Sequence, residues 1–178
     1  MLSLLRDRRS IRRFKSRPVE QKKIDALLEG VLRSPSSRSR DPWEFVVIDD
    51  PQLLMRVGKA KEHGSTFVGG APLAVVVMAD PDRCDVWIED CSIASILLQL
   101  MAQSLGLGSC WAQIRLRSHD ANTSAEDYLK DLLRLPKEYK VESVIGIGYP
   151  DEEKQGHPVE SLKYDKVHWN GYGGTQSQ

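Results

Sequence analysis

The chain lacks most of the features that would place it at a glance. Cysteine is scarce: Cys84, Cys91 and Cys110 make an odd number without Cys-x-x-Cys spacing. That argues against a disulfide framework and a zinc knuckle, and leaves buried, reduced thiols as the expectation. Net charge is absent too, since Lys plus Arg and Asp plus Glu both number 25. Such a balance provides no overall field to draw the molecule onto nucleic acid or an acidic membrane, so any anion site is local. Long hydrophobic runs are missing. The one stretch approaching the roughly 20 apolar residues of a membrane span, Val86 to Leu105, is interrupted by Glu89, Asp90, Gln99 and Gln103. Near the start, Arg6, Asp7, Arg8 and Arg9 bring charge too early for a secretory signal, and the expectation is a cytoplasmic protein.

Missing motifs narrow the chemistry further. Gly146-Ile147-Gly148 could open a dinucleotide fingerprint only with a third glycine at position 151, which is Asp151. No Gly-x-Ser-x-Gly elbow or Walker lysine motif occurs, and His63, His119, His157 and His168 lack metal-ligand spacing. No internal repeat or low-complexity block is present apart from the tail 171–178, which is expected to be disordered.

What is present suits one domain, 1–170, of the 178 residues. From Pro18 to Ser34 the residues Ile24, Leu27, Leu28, Val31 and Leu32 trace one helical stripe that Pro35 ends. Trp43 to Ile48 reads as a strand. Leu73 to Met78 is a continuous apolar run, the form of a central strand covered on both faces. Between Val86 and Leu105 the polar residues Ser92, Ser95, Gln99 and Gln103 form a narrow stripe on a helix otherwise apolar, which is expected to be buried almost all round. In so short a chain, that degree of burial favours the seam of a dimer.

Gly106 and Gly108 end that helix, and Ser109 to Arg115 reads as the next strand. Thr123-Ser124-Ala125-Glu126 has the form of a capping box opening a helix through Leu129, Leu132 and Leu133, closed by Pro136. Val141 to Gly148 is the last strand. The order α–α–β–α–β–α–β–α–β predicts an α+β fold, an α/β sandwich with four strands. The arm 150–170 has no core pattern of its own and needs something to lie against, a partner subunit being the natural candidate.

Three segments could carry chemistry. Arg8-Arg9-Ser10-Ile11-Arg12-Arg13 puts four guanidinium groups within six residues, enough to grip a phosphate monoester bidentately. On a helix Arg8 and Arg12 would share one face. A solvated helix face or a loose nucleic-acid patch explains the same arginines if they are taken alone. The loop around Pro35-Ser36-Ser37 offers hydroxyls and free backbone N–H groups, though serine-rich loops are often only turns. Gly106-Leu107-Gly108-Ser109-Cys110-Trp111 reads as a helix C-cap or as a ligand cradle.

In order along the chain, these segments resemble the nitroreductase family of flavoproteins. The landmarks are Arg8-Arg9-Ser10-Ile11-Arg12, Ser34 to Ser37 with Pro42-Trp43-Glu44-Phe45, Gly106 to Trp111, and Gly148-Tyr149-Pro150 followed by Val167-His168-Trp169-Asn170. The resemblance spans almost the whole chain. It implies a nitroreductase-like, mainly antiparallel sheet flanked by helices, and a homodimer with FMN at the interface and C-terminal arms exchanged between subunits. It further implies electron transfer from NADH or NADPH to small acceptors such as nitroaromatics or quinones.

Carried over by position, Arg8, Arg9, Ser10 and Arg12 would hold the FMN phosphate and the pyrimidine side of the ring. Pro35, Ser36, Ser37 and Ser39 would come from the other subunit, and Trp111, Ala112 and Gln113 would run beside flavin N5. Three departures stand out: Ser39 and Asp41 replace amide side chains, Gln113-Ile114-Arg115 lacks a glycine, and the basic residue expected after Gly-Tyr-Pro has no clear match, Lys154 and His157 being the candidates. They keep open a flavin-binding protein without turnover, and a specialised member such as a dehalogenase or flavin-fragmenting enzyme.

Overall fold

In the computed structural model, which describes residues 1–175, helices and strands follow the expected order. They are α1 Leu2–Asp7, α2 Gln21–Leu32, β1 Trp43–Ile48, α3 Pro51–Val57, β2 Leu73–Ala79, α4 Trp87–Ser104, β3 Gly108–Gln113, α5 Ala125–Leu133 and β4 Lys140–Gly148. The strands form one antiparallel sheet in the order β1-β2-β4-β3. The α+β architecture with a four-stranded sheet flanked by helices is therefore the one the sequence predicts.

β2 explains the layering. All seven of its residues are buried, and its side chains alternate between two separate cores. Leu73, Val75, Val77 and Ala79 pack with Leu27 and Val31 of α2 and Cys91, Ala94 and Leu98 of α4. Ala74, Val76 and Met78 face the other way, toward Leu54 and Val57 of α3 and Ala125 and Leu129 of α5. Full burial of one Val or Leu side chain stabilises by roughly 1.5–3 kcal/mol, so this strand anchors both layers.

Several boundaries move for local reasons. β3 stops two residues earlier than expected, because the Ile114 and Arg115 amides both donate to the Glu142 carbonyl and Leu116 turns left-handed at φ 57. Opposite, β4 carries a bulge where Val77 pairs Ser143 and Met78 pairs Val141, which leaves Glu142 as the extra residue. The cap of α5 is Ser124, whose hydroxyl accepts from the Asp127 amide. Glu126, expected in that capping role, instead accepts from the Lys130 and Lys140 ammonium groups and the Val141 amide, tying α5 to β4. Gly106, at φ 73, closes α4 as expected.

Helix α4 departs from the expectation of burial all round. Its polar Ser95 and Gln99 face inward, Ser95 Oγ lying 3.0 Å from Ser143 Oγ, while Ile93 and Ile96 remain 39% and 38% exposed. Polar groups are thus satisfied inside the subunit and an apolar stripe is left outside. The arm beyond Pro150 has two single-turn helices, Val159–Ser161 and Tyr164–Lys166, and its residues from 157 to 170 are exposed. Gly171–Thr175 follow in a turn held by Gly174 N–H to Gly171 O, and residues 176–178 of the expected tail lie outside the described residues. No helix among the described residues is long and apolar enough to cross a membrane.

Candidate functional site

β3 is an edge strand. It pairs β4 along one side, and on the other, among the described residues, it pairs only with the N-terminal segment, through the parallel bridge of Ser10 with Ser109 and the Ile11 amide donating to Ser109 O at 3.0 Å. Because Ser109 O faces outward, the alternation of an antiparallel strand turns the backbone groups of Trp111 and Gln113 toward the same open edge. Gly108 makes the close approach possible, since a Cβ there would stand 2.8 Å from Ile11.

Arg8 and Arg12 do not share a helix. α1 ends at Asp7, Arg8 is its extended C-cap, and the segment that follows runs beside β3. The reason is pairing: the Ile11 amide bonds across to Ser109 rather than back along its own helix. The extended chain serves the same end by a different period, because side chains two apart share a side. Ile11 is buried, whereas Arg8, Ser10 and Arg12 gather with Lys154 around Cys110. Burial pushes the Cys110 thiol up, and Arg12, Ser10, Lys154 and Arg8 pull it the other way. Among the described residues, no hydrogen bond or ion pair engages the guanidinium groups of Arg8 and Arg12. Arg9 lies apart from them and donates to the Gln155 carbonyl.

Of the two basic candidates in the arm, the structure brings in Lys154. Its ammonium donates to Ser10 O at 2.9 Å and to Glu152 Oε1 at 3.0 Å, while His157 is exposed. Glu152 went unnoticed in the sequence, where one acid after Gly-Tyr-Pro looks like any other. Its carboxylate accepts from the Arg12 amide at 2.5 Å and the Arg13 amide at 3.2 Å. Those bonds, the Arg12 amide first and then Lys154, lower its pKa from 4.5 to about 2. Lys61 was missed as well. It is a half-buried cation close to the same cluster, and burial together with Arg117 lowers its pKa.

The serine loop lies elsewhere in the subunit. Ser36 Oγ and Asp41 bond each other twice, at 2.6 Å to Oδ1 and 2.9 Å from the Asp41 amide, so Asp41 braces the loop from within. Arg38, Ser39 and Asp41 all have positive φ, at 54, 52 and 45, a conformation that costs a non-glycine residue about 1–3 kcal/mol. No hydrogen bond among the described residues joins Pro35, Ser36, Ser37 or Ser39 to the arginine segment of the same chain. Trp111, Ala112 and Gln113 do lie on that segment's strand, with Ala112 buried and Gln113 donating to Arg115 O at 3.2 Å.

The three thiols are buried and free, as expected. Among the described residues, no group of three or more His, Cys, Asp or Glu is placed to hold a metal ion.

A model of the nitroreductase family matches residues 5–64 and 55–149, which include the arginine segment, the serine loop and β3. The chain belongs to the nitroreductase family. Among solved structures, an FMN-dependent nitroreductase from Clostridium difficile R20291 is 45% identical with a TM-score of 0.95, covering 96% of this chain and 99% of its own. A relative in Archaeoglobus fulgidus, provisionally named NADH dehydrogenase/NAD(P)H nitroreductase, is 31% identical over 94% of this chain and 95% of its own length. An FMN reductase [NAD(P)H] of Bacillus subtilis is 24% identical over 96% of this chain and 75% of its own. Membership in the nitroreductase family accounts for the order of the landmarks.

Proposed function

We propose that this nitroreductase family member is an NAD(P)H-dependent flavin oxidoreductase, a homodimer that holds FMN at its seam and reduces small acceptors such as nitroaromatics or quinones. The observation that carries this reading is the juxtaposition of the unpaired Arg8 and Arg12 with the open backbone edge of Trp111 to Gln113. That donor set fits a flat, hydrogen-bonding molecule with a phosphate at one end. Arg8, Ser10, Arg12 and Lys154 would take the phosphate and the pyrimidine side, the guanidinium forks bonding its oxygens bidentately. Arg9 belongs to the same grip one step removed, fixing Gln155 beside Lys154.

When bound, FMN supplies the redox chemistry, accepting hydride from NADH or NADPH and delivering electrons to the acceptor in a second, separate exchange. The chain contributes position and electrostatics. Backbone donors of Trp111 and Gln113 would stabilise charge at the ring, and no side chain is required as an obligatory acid or base.

The second subunit is supported by what one subunit leaves uncovered. Ile93 and Ile96 on α4, and Val159, Leu162, Tyr164, Val167 and Trp169 on the arm, are 38–66% exposed, apolar side chains that a partner subunit would cover. In the dimer Pro35, Ser36, Ser37 and Ser39 of one subunit would face the flavin held by the arginines of the other.

The test is the visible spectrum of the purified protein, followed by anaerobic addition of NADH or NADPH. Bands of bound oxidised flavin that bleach and then return on adding a nitroaromatic are expected. A colourless protein, or bound flavin that neither nucleotide bleaches, would overturn the reading.

A further inference from the structure

Beyond the end of β3, the turn Arg115-Leu116-Arg117 lines a half-open cavity of about 370 Å³, shared with Pro81 just after β2 and Lys140 at the start of β4. Trp87 forms an apolar wall, Leu116 the rim, and Arg115, Arg117 and Lys140 bring positive charge to it. The single acid on the lining, Glu126, is already taken up by Lys130, Lys140 and the Val141 amide. It makes no pair with either arginine. Among the described residues, no hydrogen bond or ion pair engages the guanidinium group of Arg115 or Arg117. Glu142 is buried and makes no ion pair with Arg115, although that guanidinium is close enough to offset part of the burial that raises the carboxyl. Arg117 stands close enough to Lys61 to disfavour that ammonium, adding to its burial.

The backbone is also held out of its comfortable range. Leu116 is 77% exposed and has φ 57, a left-handed conformation that costs an ordinary residue about 1–2 kcal/mol. Strain of this kind persists where the surroundings determine it, and it collects at ligand-binding positions. Here it sets two free guanidinium groups on one cavity with an apolar side chain between them.

We propose that this cavity binds a small aromatic carboxylate, with Arg115 and Arg117 holding the carboxylate and Trp87 and Leu116 flanking the ring. The volume lies at the lower end of small-molecule pockets, which run from roughly 300 to 1,000 Å³. It suits a single substituted ring rather than a dinucleotide. The chemistry is that of paired guanidinium forks, which match a planar carboxylate, beside an indole, which stacks on an aromatic body.

The experiment titrates the purified protein, with whatever flavin it carries, with benzoate, benzyl alcohol and inorganic phosphate, followed by NMR. Benzoate is expected to bind at least tenfold more tightly than either of the others and to show contacts with the Trp87 indole. Arg115→Gln and Arg117→Gln should each weaken benzoate at least tenfold and leave benzyl alcohol unchanged. Arg117→Lys, which keeps the charge without the fork, should give a smaller loss and serves if the glutamine variants fail to fold. Phosphate binding as tightly as benzoate would overturn the proposal, as would benzoate that perturbs the flavin spectrum without touching Trp87. None of these readouts depends on turnover, so their failure leaves the oxidoreductase reading standing.

Discussion

The Ser37 amide donates to Asp90 Oδ1 at 2.9 Å, joining the serine loop to the first turns of α4 across 53 positions of sequence. Asp90 is 3% exposed, and its other oxygen accepts from the Cys84 thiol at 3.4 Å. One buried carboxylate thus fixes a loop whose own backbone is strained at Arg38, Ser39 and Asp41. Asp90→Ala is expected to destabilise the protein by about 1–3 kcal/mol, because buried donors lose their acceptor. Chemical denaturation measures that loss, and unchanged stability together with unchanged hydrogen exchange at Ser37 would refute it.

Flavin retention should depend on the arginines unequally. Arg8→Gln and Arg12→Gln are each expected to weaken FMN about tenfold, or about 1.4 kcal/mol, with the effect of Arg9→Gln smaller because that side chain grips Gln155. Titration of the stripped protein with FMN, followed by flavin fluorescence, gives the comparison. Equal effects at all three positions would contradict the side-chain alternation described above.

Glu152 predicts an acid sensitivity. Its folded pKa is depressed from 4.5 to about 2, so its contribution to stability is complete above pH 4.5 and is lost as the pH falls toward 2. Glu152→Gln should therefore be less stable than the parent at pH 7, with the gap closing across that window. Thermal melts at several pH values check the direction.

Glu142 predicts the opposite slope. Burial raises its pKa above 4.5, and Oε2 has no hydrogen-bond partner. The folded state holds its proton more tightly than the unfolded state, so stability falls as pH rises from 4.5 through the folded value. Glu142→Gln, which never ionises, should be more stable than the parent at pH 7 and indistinguishable from it below pH 4.

The uncovered face of α4 tests the dimer. Ile96→Asp, at a position 38% exposed in one subunit, should cost a monomer little and should break a dimer whose seam it occupies. Sedimentation is expected to show monomers, with bound flavin lost in parallel. A dimer that survives the substitution with its flavin would place the seam elsewhere.

Much of this was legible in the residues. The apolar run from Leu73 carries central burial in its composition, because only a strand covered on both faces can be apolar at every position. The landmark order from Arg8 to Asn170 carries the family. The partners inside the site were not legible. Glu152 reaches Arg12 across 140 positions and Asp90 reaches Ser37 across 53, and no local pattern distinguishes these acids from solvated ones.

Local chemistry, then, determined the elements: apolar periodicity, prolines and Gly106 act within a few residues, and those signals are written in order along the chain. Tertiary structure alone decided that the arginine segment is extended, because the Ile11 amide found its acceptor on β3 and not in its own helix. It also turned Ser95 and Gln99 inward and Ile93 outward. Both outcomes follow from hydrogen bonds and packing between segments far apart in sequence, which exist only once the sheet has formed.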